Sequence, residues 1–169
     1  MQEIDRMLLI GSTAKKAGKT TLACQIIRNL NKLYKITTIK ITPIEKADSF
    51  FLINQENNPK GNSDSSRFLA AGAEKAYWMQ AEKSFFEEGF NQLLTTIATD
   101  AVIICESTSL RQYFKPGLFI IIRTGNSDGY KDSTKRLIEK ADCIINTNGK
   151  NFDFDLNRIQ FIDGKWSVK

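Results

Sequence analysis

At 169 residues, with 41% hydrophobic and 25% charged content, the chain is sized for one well-buried domain and has a globular composition. Its 24 Lys and Arg against 19 Asp and Glu leave a net charge of +5, which suits a small anionic ligand. No run of like charges makes a basic arm, so a nucleic-acid partner is not expected, and the absence of histidine excludes Ser-His-Asp and Cys-His nucleophiles and any histidine metal site.

The cysteines, Cys24, Cys105 and Cys143, each sit in an apolar segment without Cys-x-x-Cys pairing, and read as buried thiols of a reducing compartment. The start, Met-Gln-Glu-Ile-Asp-Arg, lacks the pattern of a signal peptide, and no apolar run approaches membrane-spanning length. A cytoplasmic protein without membrane association is expected, as a single domain over 1–169.

Met7-Leu8-Leu9-Ile10 has the length and bounding of a buried strand. It breaks at Gly11, passes through Ser12, Thr13, Ala14, Lys15, Lys16 and Ala17, and reaches Gly18-Lys19-Thr20-Thr21. Leu22, Ala23, Ile26, Ile27, Leu30, Leu33 and Tyr34 then recur at helical spacing. Strand, glycine-bearing loop ending in Gly-Lys-Thr, and helix is the layout of a phosphate-binding P-loop, or Walker A motif. A helix start offers unpaired N–H groups and partial positive charge to a phosphate. Residues Thr13 to Thr21 are therefore the expected nucleotide cradle, with Lys19 reaching the β- and γ-phosphates and Thr20 ligating Mg²⁺. The common spacing has glycine where this chain has Thr13, and the nearest glycine is Gly11. The loop is then two residues longer, or its first turn has another geometry. The plainer alternative is a lysine-rich turn before an ordinary amphipathic helix.

Lys35 to Ile41 is β-branched and reads as a second strand, ended by Pro43, with Lys40 near its C-terminal end. Open parallel sheets place ligands at that end, although a solvated lysine is equally ordinary there. From Thr42 to Asp64 the chain is mostly polar, a loop long enough to suggest function. Within it, Phe50-Phe51-Leu52-Ile53 predicts a short strand or a subunit contact. Asp64 to Ala73 reads as a short helix capped by Ser63 or Asp64 and stopped at Gly72. Ala76 to Met79 makes a third strand, and Glu82 to Thr99 a helix whose phenylalanines read as core.

Asp100 to Ser107 is a fully buried strand ending in Glu106, and Gly117 to Arg123 is another. Lys131 to Ala141 predicts a helix, Asp142 to Asn146 a last core strand, and the tail over 158–169 a hairpin turning at Asp163-Gly164. Alternating strands and helices imply an α/β protein, a P-loop NTPase three-layer fold with a mostly parallel central sheet. Glu106 is the expected acid near Mg²⁺, ligating it or orienting a nucleophile, which makes Lys19 and Glu106 the expected catalytic pair. Asp48 and Asp64 are alternatives to Glu106. Asn146, Thr147 and Asn148 follow the last core strand, where an amide can read a purine edge, or simply turn the chain.

Three stretches resemble the molybdopterin-guanine dinucleotide biosynthesis protein B (MobB) family: Gly18-Lys19-Thr20-Thr21-Leu22, the strand-end Lys40, and Asp64-Ser65-Ser66-Arg67 followed by Ala71-Gly72-Ala73. The likeness covers roughly residues 5 to 150. It departs at Ile41, where the family usually has histidine, and at Ser107, where it has glycine; the phosphate loop here is also longer. The resemblance implies a GTP-binding homodimeric adaptor, with slow hydrolysis, for a partner that attaches GMP to molybdenum cofactor. A second reading is an ATP-dependent kinase or ligase resembling dethiobiotin synthetase. A third is a nucleotide-dependent interaction module with Phe50 to Ile53 as contact surface.

Overall fold

The computed structural model describes residues 1–45, 50–125 and 130–169; Asp48 lies outside them. Seven strands form one sheet: β1 (Gln2–Ser12), β2 (Ile36–Pro43), β3 (Phe51–Glu56), β4 (Lys75–Ala81), β5 (Val102–Glu106), β6 (Phe114–Thr124) and β7 (Cys143–Thr147). Their order is β3-β4-β2-β5-β1-β6-β7, parallel throughout except for the antiparallel edge strand β3. Because β1, β5 and β6 lie inside the sheet with both faces covered, they carry the continuous apolar runs that marked them.

The helices α1 (Lys19–Leu30) and α2 (Asp64–Ala71) cover one face, packing Leu22, Ile26, Ile27 and Phe68 onto Leu8, Ile10, Ile104 and Ile120. On the other face, α3 (Phe86–Thr96) and α4 (Asp132–Ile138) set Phe86, Phe90, Leu93 and Leu137 against Leu9, Ile39, Met79 and Ile121. The chain is thus an α/β protein with a mostly parallel sheet and helices on both faces. Among the described residues no helix is long and apolar enough to cross a membrane.

Several boundaries differ from the sequence pattern. β1 begins five residues before Met7, since Gln2 to Ile4 pair with Phe114 to Pro116 on β6 and the charged Glu3, Asp5 and Arg6 disguise the strand. The register shifts between Ile4 and Leu8, and there Gly117 lies so close to Asp5 that a Cβ would overlap its carbonyl oxygen. The helix expected from Glu82 starts at Phe86, after a single tight turn over Lys83–Phe85, and ends at Thr96. Its last hydroxyls, of Thr95 and Thr96, donate back to the carbonyls of Gln92 and Leu93, competing with continued helix.

Phe51 to Ile53 form the start of β3, with Phe51 and Ile53 packed into the second core, and Phe50 just before it stacks on Phe85. The tail forms the hairpin β8 (Ile159–Ile162) and β9 (Lys165–Val168), with positive φ at Asp163 and Gly164 as a tight two-residue turn requires. It docks on the α1 side: the Trp166 indole donates to the Arg6 carbonyl at 3.0 Å and the Tyr34 hydroxyl to that of Phe161 at 2.5 Å.

Candidate functional site

The loop from Thr13 to Gly18 leaves the sheet at the C-terminal end of β1, between β5 and β6. Its entry is clamped. The Thr13 N–H donates to the Ile122 carbonyl at 3.0 Å, the Thr13 hydroxyl accepts from the Thr124 N–H at 3.2 Å, and the Ser12 N–H donates to the Thr108 hydroxyl at 3.1 Å. Thr13, in the position where the common motif has glycine, is therefore a sheet extension that fixes where the loop starts. The loop then turns through positive φ at Lys16 (56°) and Gly18 (91°), and the helix begins with Leu22 donating to the Gly18 carbonyl. A side chain at Gly18 would be strained by that φ and would press on Phe152. Among the described residues, the backbone N–H groups from Gly18 to Thr21, just after the turn over Lys15 and Lys16, donate to no group of the chain. They sit at a helix start, where partial positive charge is concentrated.

These amides face a cavity of about 400 Å³, lined by Lys16 to Thr21, Lys40, Asp64, Arg67 and Glu106. Lys19 reaches across the loop, its Nζ donating to the Ser12 hydroxyl at 3.1 Å and lying 3.9 Å from Glu106. Glu106, at the end of β5, is buried to 2% exposure. One of its oxygens accepts from the Thr20 hydroxyl at 2.7 Å and the other from the Lys40 ammonium. Register explains the meeting: Lys40 on β2 pairs directly with Glu106, and Ile10 on β1 pairs with it from the other side. Lys40 also binds Asp64 at 3.0 Å, at the first turn of α2, and Arg67 lies 3.7 Å from Asp64 while donating to the Thr21 hydroxyl at 3.2 Å.

Burial pushes the Lys19 ammonium below its ordinary pKa, and the neighbouring Glu106 only partly restores it. Burial acts on Lys40 the same way, but the charges and hydrogen bonds of Glu106 and Asp64 outweigh it, so Lys40 is held above its ordinary value. For Asp64, burial would raise the carboxyl; the Lys40 hydrogen bond and charge outweigh that and hold it below the usual range. Both lysines thus face an anion-sized space, with Lys40 locked as a cation.

The donor set suits Mg²⁺, a hard cation that takes oxygen ligands from one or two protein groups, with phosphates and water completing its shell. The Thr20 hydroxyl and Glu106 carboxylate stand side by side at the cavity wall and would supply those oxygens. Among the described residues no group of three or more His, Cys, Asp or Glu side chains is placed to hold a metal alone.

The residues after β7 form a neighbouring concavity of about 320 Å³ lined by Asn146, Thr147, Asn148 and Asn151 to Asp153. Asn146 is held on both sides: Oδ1 accepts from Arg123 at 2.6 Å, while its Nδ2 and backbone N–H donate to Asp153 at 2.5 and 2.6 Å. Those hydrogen bonds hold the exposed Asp153 carboxyl below its ordinary pKa. Asn148 uses Oδ1 to accept from the Lys150 and Asn151 N–H groups, as a turn residue does. Residue-type reasoning missed Arg67, Ser12, Arg123 and Asp153. Arg67 had a sequence signal in the stretch that carries the family resemblance, and Asp153 in being an acid seven residues after Asn146 across a glycine turn; Ser12 and Arg123 had none.

Compared with models of known families, with curated proteins and with solved structures, the chain matches none.

Proposed function

We propose that the protein has a P-loop NTPase three-layer fold and binds a nucleoside triphosphate, GTP or ATP, with Mg²⁺. The observation that carries this is the run of amides from Gly18 to Thr21, unpaired among the described residues, beside Lys19 and the Thr20–Glu106 pair. The amides and Lys19 hold the β- and γ-phosphates, and Lys16 and Arg67 add positive charge at the rim. Thr20 and Glu106 hold Mg²⁺, which when bound neutralises charge on the phosphates. Glu106 positions an attacking water for slow hydrolysis, and Lys40 fixes the Glu106 carboxylate. The base lies toward Asn146 and Asp153, with Asn148 shaping the turn beside them. The accessory role in molybdenum cofactor maturation, its client protein, the homodimer and the cytoplasmic location rest on the resemblance to the MobB family.

The test is titration of GTP and ATP with Mg²⁺ into the wild type and Lys19→Ala. Losing a charge-assisted hydrogen bond predicts affinity weaker by roughly tenfold to a hundredfold, with an unchanged circular dichroism spectrum. Equal affinity would remove the assignment. A kinase or ligase resembling dethiobiotin synthetase is the second reading, favoured by one observation: a smaller cavity adjoins the phosphate cavity and shares Lys40 and Asp64 with it.

A further inference from the structure

The smaller cavity has a volume of about 190 Å³ and is lined by Lys40, Thr42, Ser63, Asp64, Ser65 and Trp78. Its origin lies in the strand register. Lys40 pairs with Trp78 and Thr42 with Gln80, and alternation puts all four on the face that carries α2. α2 covers the first part of these strands, over Ala76, and starts only at Asp64. Glu56 fixes that start, its Oε2 accepting from the hydroxyls of Ser63, Ser65 and Ser66 at 2.9, 3.3 and 3.0 Å. Beyond Asp64, no helix among the described residues covers the C-terminal ends of β2 and β4, next to the phosphate cavity.

Trp78 forms the wall of this shelf and is 36% exposed, against 4% for Trp166 in the core. Its indole N–H donates to the Thr42 hydroxyl at 2.9 Å, which fixes the ring and uses its one polar donor. What the ring still offers is a flat face. At the other wall, the Lys40 ammonium gives one proton to Glu106 and one to Asp64, and an ammonium has a third. Ser63, Ser65 and Ser66 are committed to Glu56, while the Thr42 hydroxyl accepts from Trp78 and keeps its own proton to donate. Lys40 and Arg67 together balance Glu106 and Asp64, so a neutral ligand leaves no charge uncompensated.

We propose that this cavity is a second-ligand subsite for a single-ring planar aromatic alcohol. The ring lies on the Trp78 indole, and the hydroxyl oxygen accepts from Lys40 and Thr42. The volume suits a single ring, and the flat wall favours an aromatic ring over a puckered one. Lys40 then touches the ligand on one side and Glu106 on the other, so that the alcohol stands beside the end of the phosphate chain. That neighbour rests on the nucleotide reading above; binding to the shelf does not.

The full chain is titrated with benzyl alcohol, pyridin-3-ylmethanol and, as the non-planar control, cyclohexylmethanol, following the two indole N–H signals by ¹H–¹⁵N spectroscopy. Both aromatic alcohols should shift the Trp78 signal saturably and leave Trp166 unmoved, and cyclohexylmethanol should bind about tenfold more weakly or worse. Trp78→Leu should weaken the aromatic alcohols by about tenfold, read from the backbone signals of Thr42 and Ser65. No saturable shift in the wild type, equal binding of cyclohexylmethanol, or undiminished binding to Trp78→Leu would overturn the proposal. The same wild-type sample is titrated with Mg²⁺–triphosphate. Triphosphate binding without a response to alcohols defeats the shelf alone, and the converse defeats the nucleotide reading alone.

Discussion

Replacing Lys40 with methionine keeps the stem and removes the ammonium from Glu106 and Asp64. Stranding one charge of a buried pair costs about 3–5 kcal/mol when nothing replaces the partner. Glu106 is only 2% exposed, but it keeps the Thr20 hydroxyl at 2.7 Å and Lys19 at 3.9 Å, and Lys40 itself is 21% exposed. Those mitigating contacts bring the expected loss to about 2–3 kcal/mol on the same scale. For a chain of this length that lowers Tm by roughly 4–12 °C. Glu106→Gln removes the charge that the first substitution strands, so the double variant should be less destabilised than the sum, with a coupling of about 1.5–2 kcal/mol. Urea unfolding of the four proteins measures it. Additivity within about 0.5 kcal/mol would refute the claim that Lys40 and Glu106 act as one unit. The pH dependence gives a second check. Asp64, held below its ordinary pKa by Lys40, contributes stability that is present above the unfolded carboxylate value and lost as pH falls through the folded one. The gap between wild type and Lys40→Met should therefore narrow in acid, below the usual carboxylate range.

Glu106→Gln should retain triphosphate binding and hydrolyse more slowly in a phosphate-release assay; an unchanged rate would move the acid role to Asp48 or Asp64. Because Lys19 sits below its ordinary pKa, triphosphate affinity should fall as pH rises through that lowered value, before an exposed lysine would titrate. Calorimetry in that alkaline range should record proton uptake on binding, and affinity flat to the ordinary lysine range would count against contact between Lys19 and phosphate. Gly117→Ala forces a methyl group onto the Asp5 carbonyl at the register shift between β1 and β6. It should destabilise by about 1–3 kcal/mol in urea unfolding, with no change in the phosphate site, whereas a neutral result would mean the two strands are not so closely apposed.

The sheet's interior was the most legible part of the chain. Met7 to Ile10, Ala101 to Cys105 and Leu118 to Ile122 are buried on both faces, so the apolar run and the strand coincide. α2 was equally plain, because its start and stop use local chemistry: the Ser63 hydroxyl accepts from the Ser66 N–H, and Gly72 closes the end at positive φ. The first residues of β1 were hidden because, of Gln2 to Arg6, only Ile4 is buried. At the site, Gly18, Lys19 and Thr20 are contiguous in sequence and could be read as a motif. The Arg67–Thr21 and Arg123–Asn146 contacts join separate elements of the chain, and only the register of β6 and β7 and the placement of α2 bring them together. Lys40 could be placed at a strand end from sequence, but its partner could not, since pairing of β2 with β5 is a property of the strand order.

Phe152, next to Asp153, stands directly behind Gly18, where an added Cβ would come within 3.3 Å of its ring. That ring belongs to the segment expected to meet the nucleobase, and the glycine to the turn expected to meet the phosphates. The two ends of a nucleotide would thus lie on either side of a gap that only glycine leaves open. Pyrophosphate and nucleoside, offered as separate fragments, should consequently bind with cooperativity rather than as strangers.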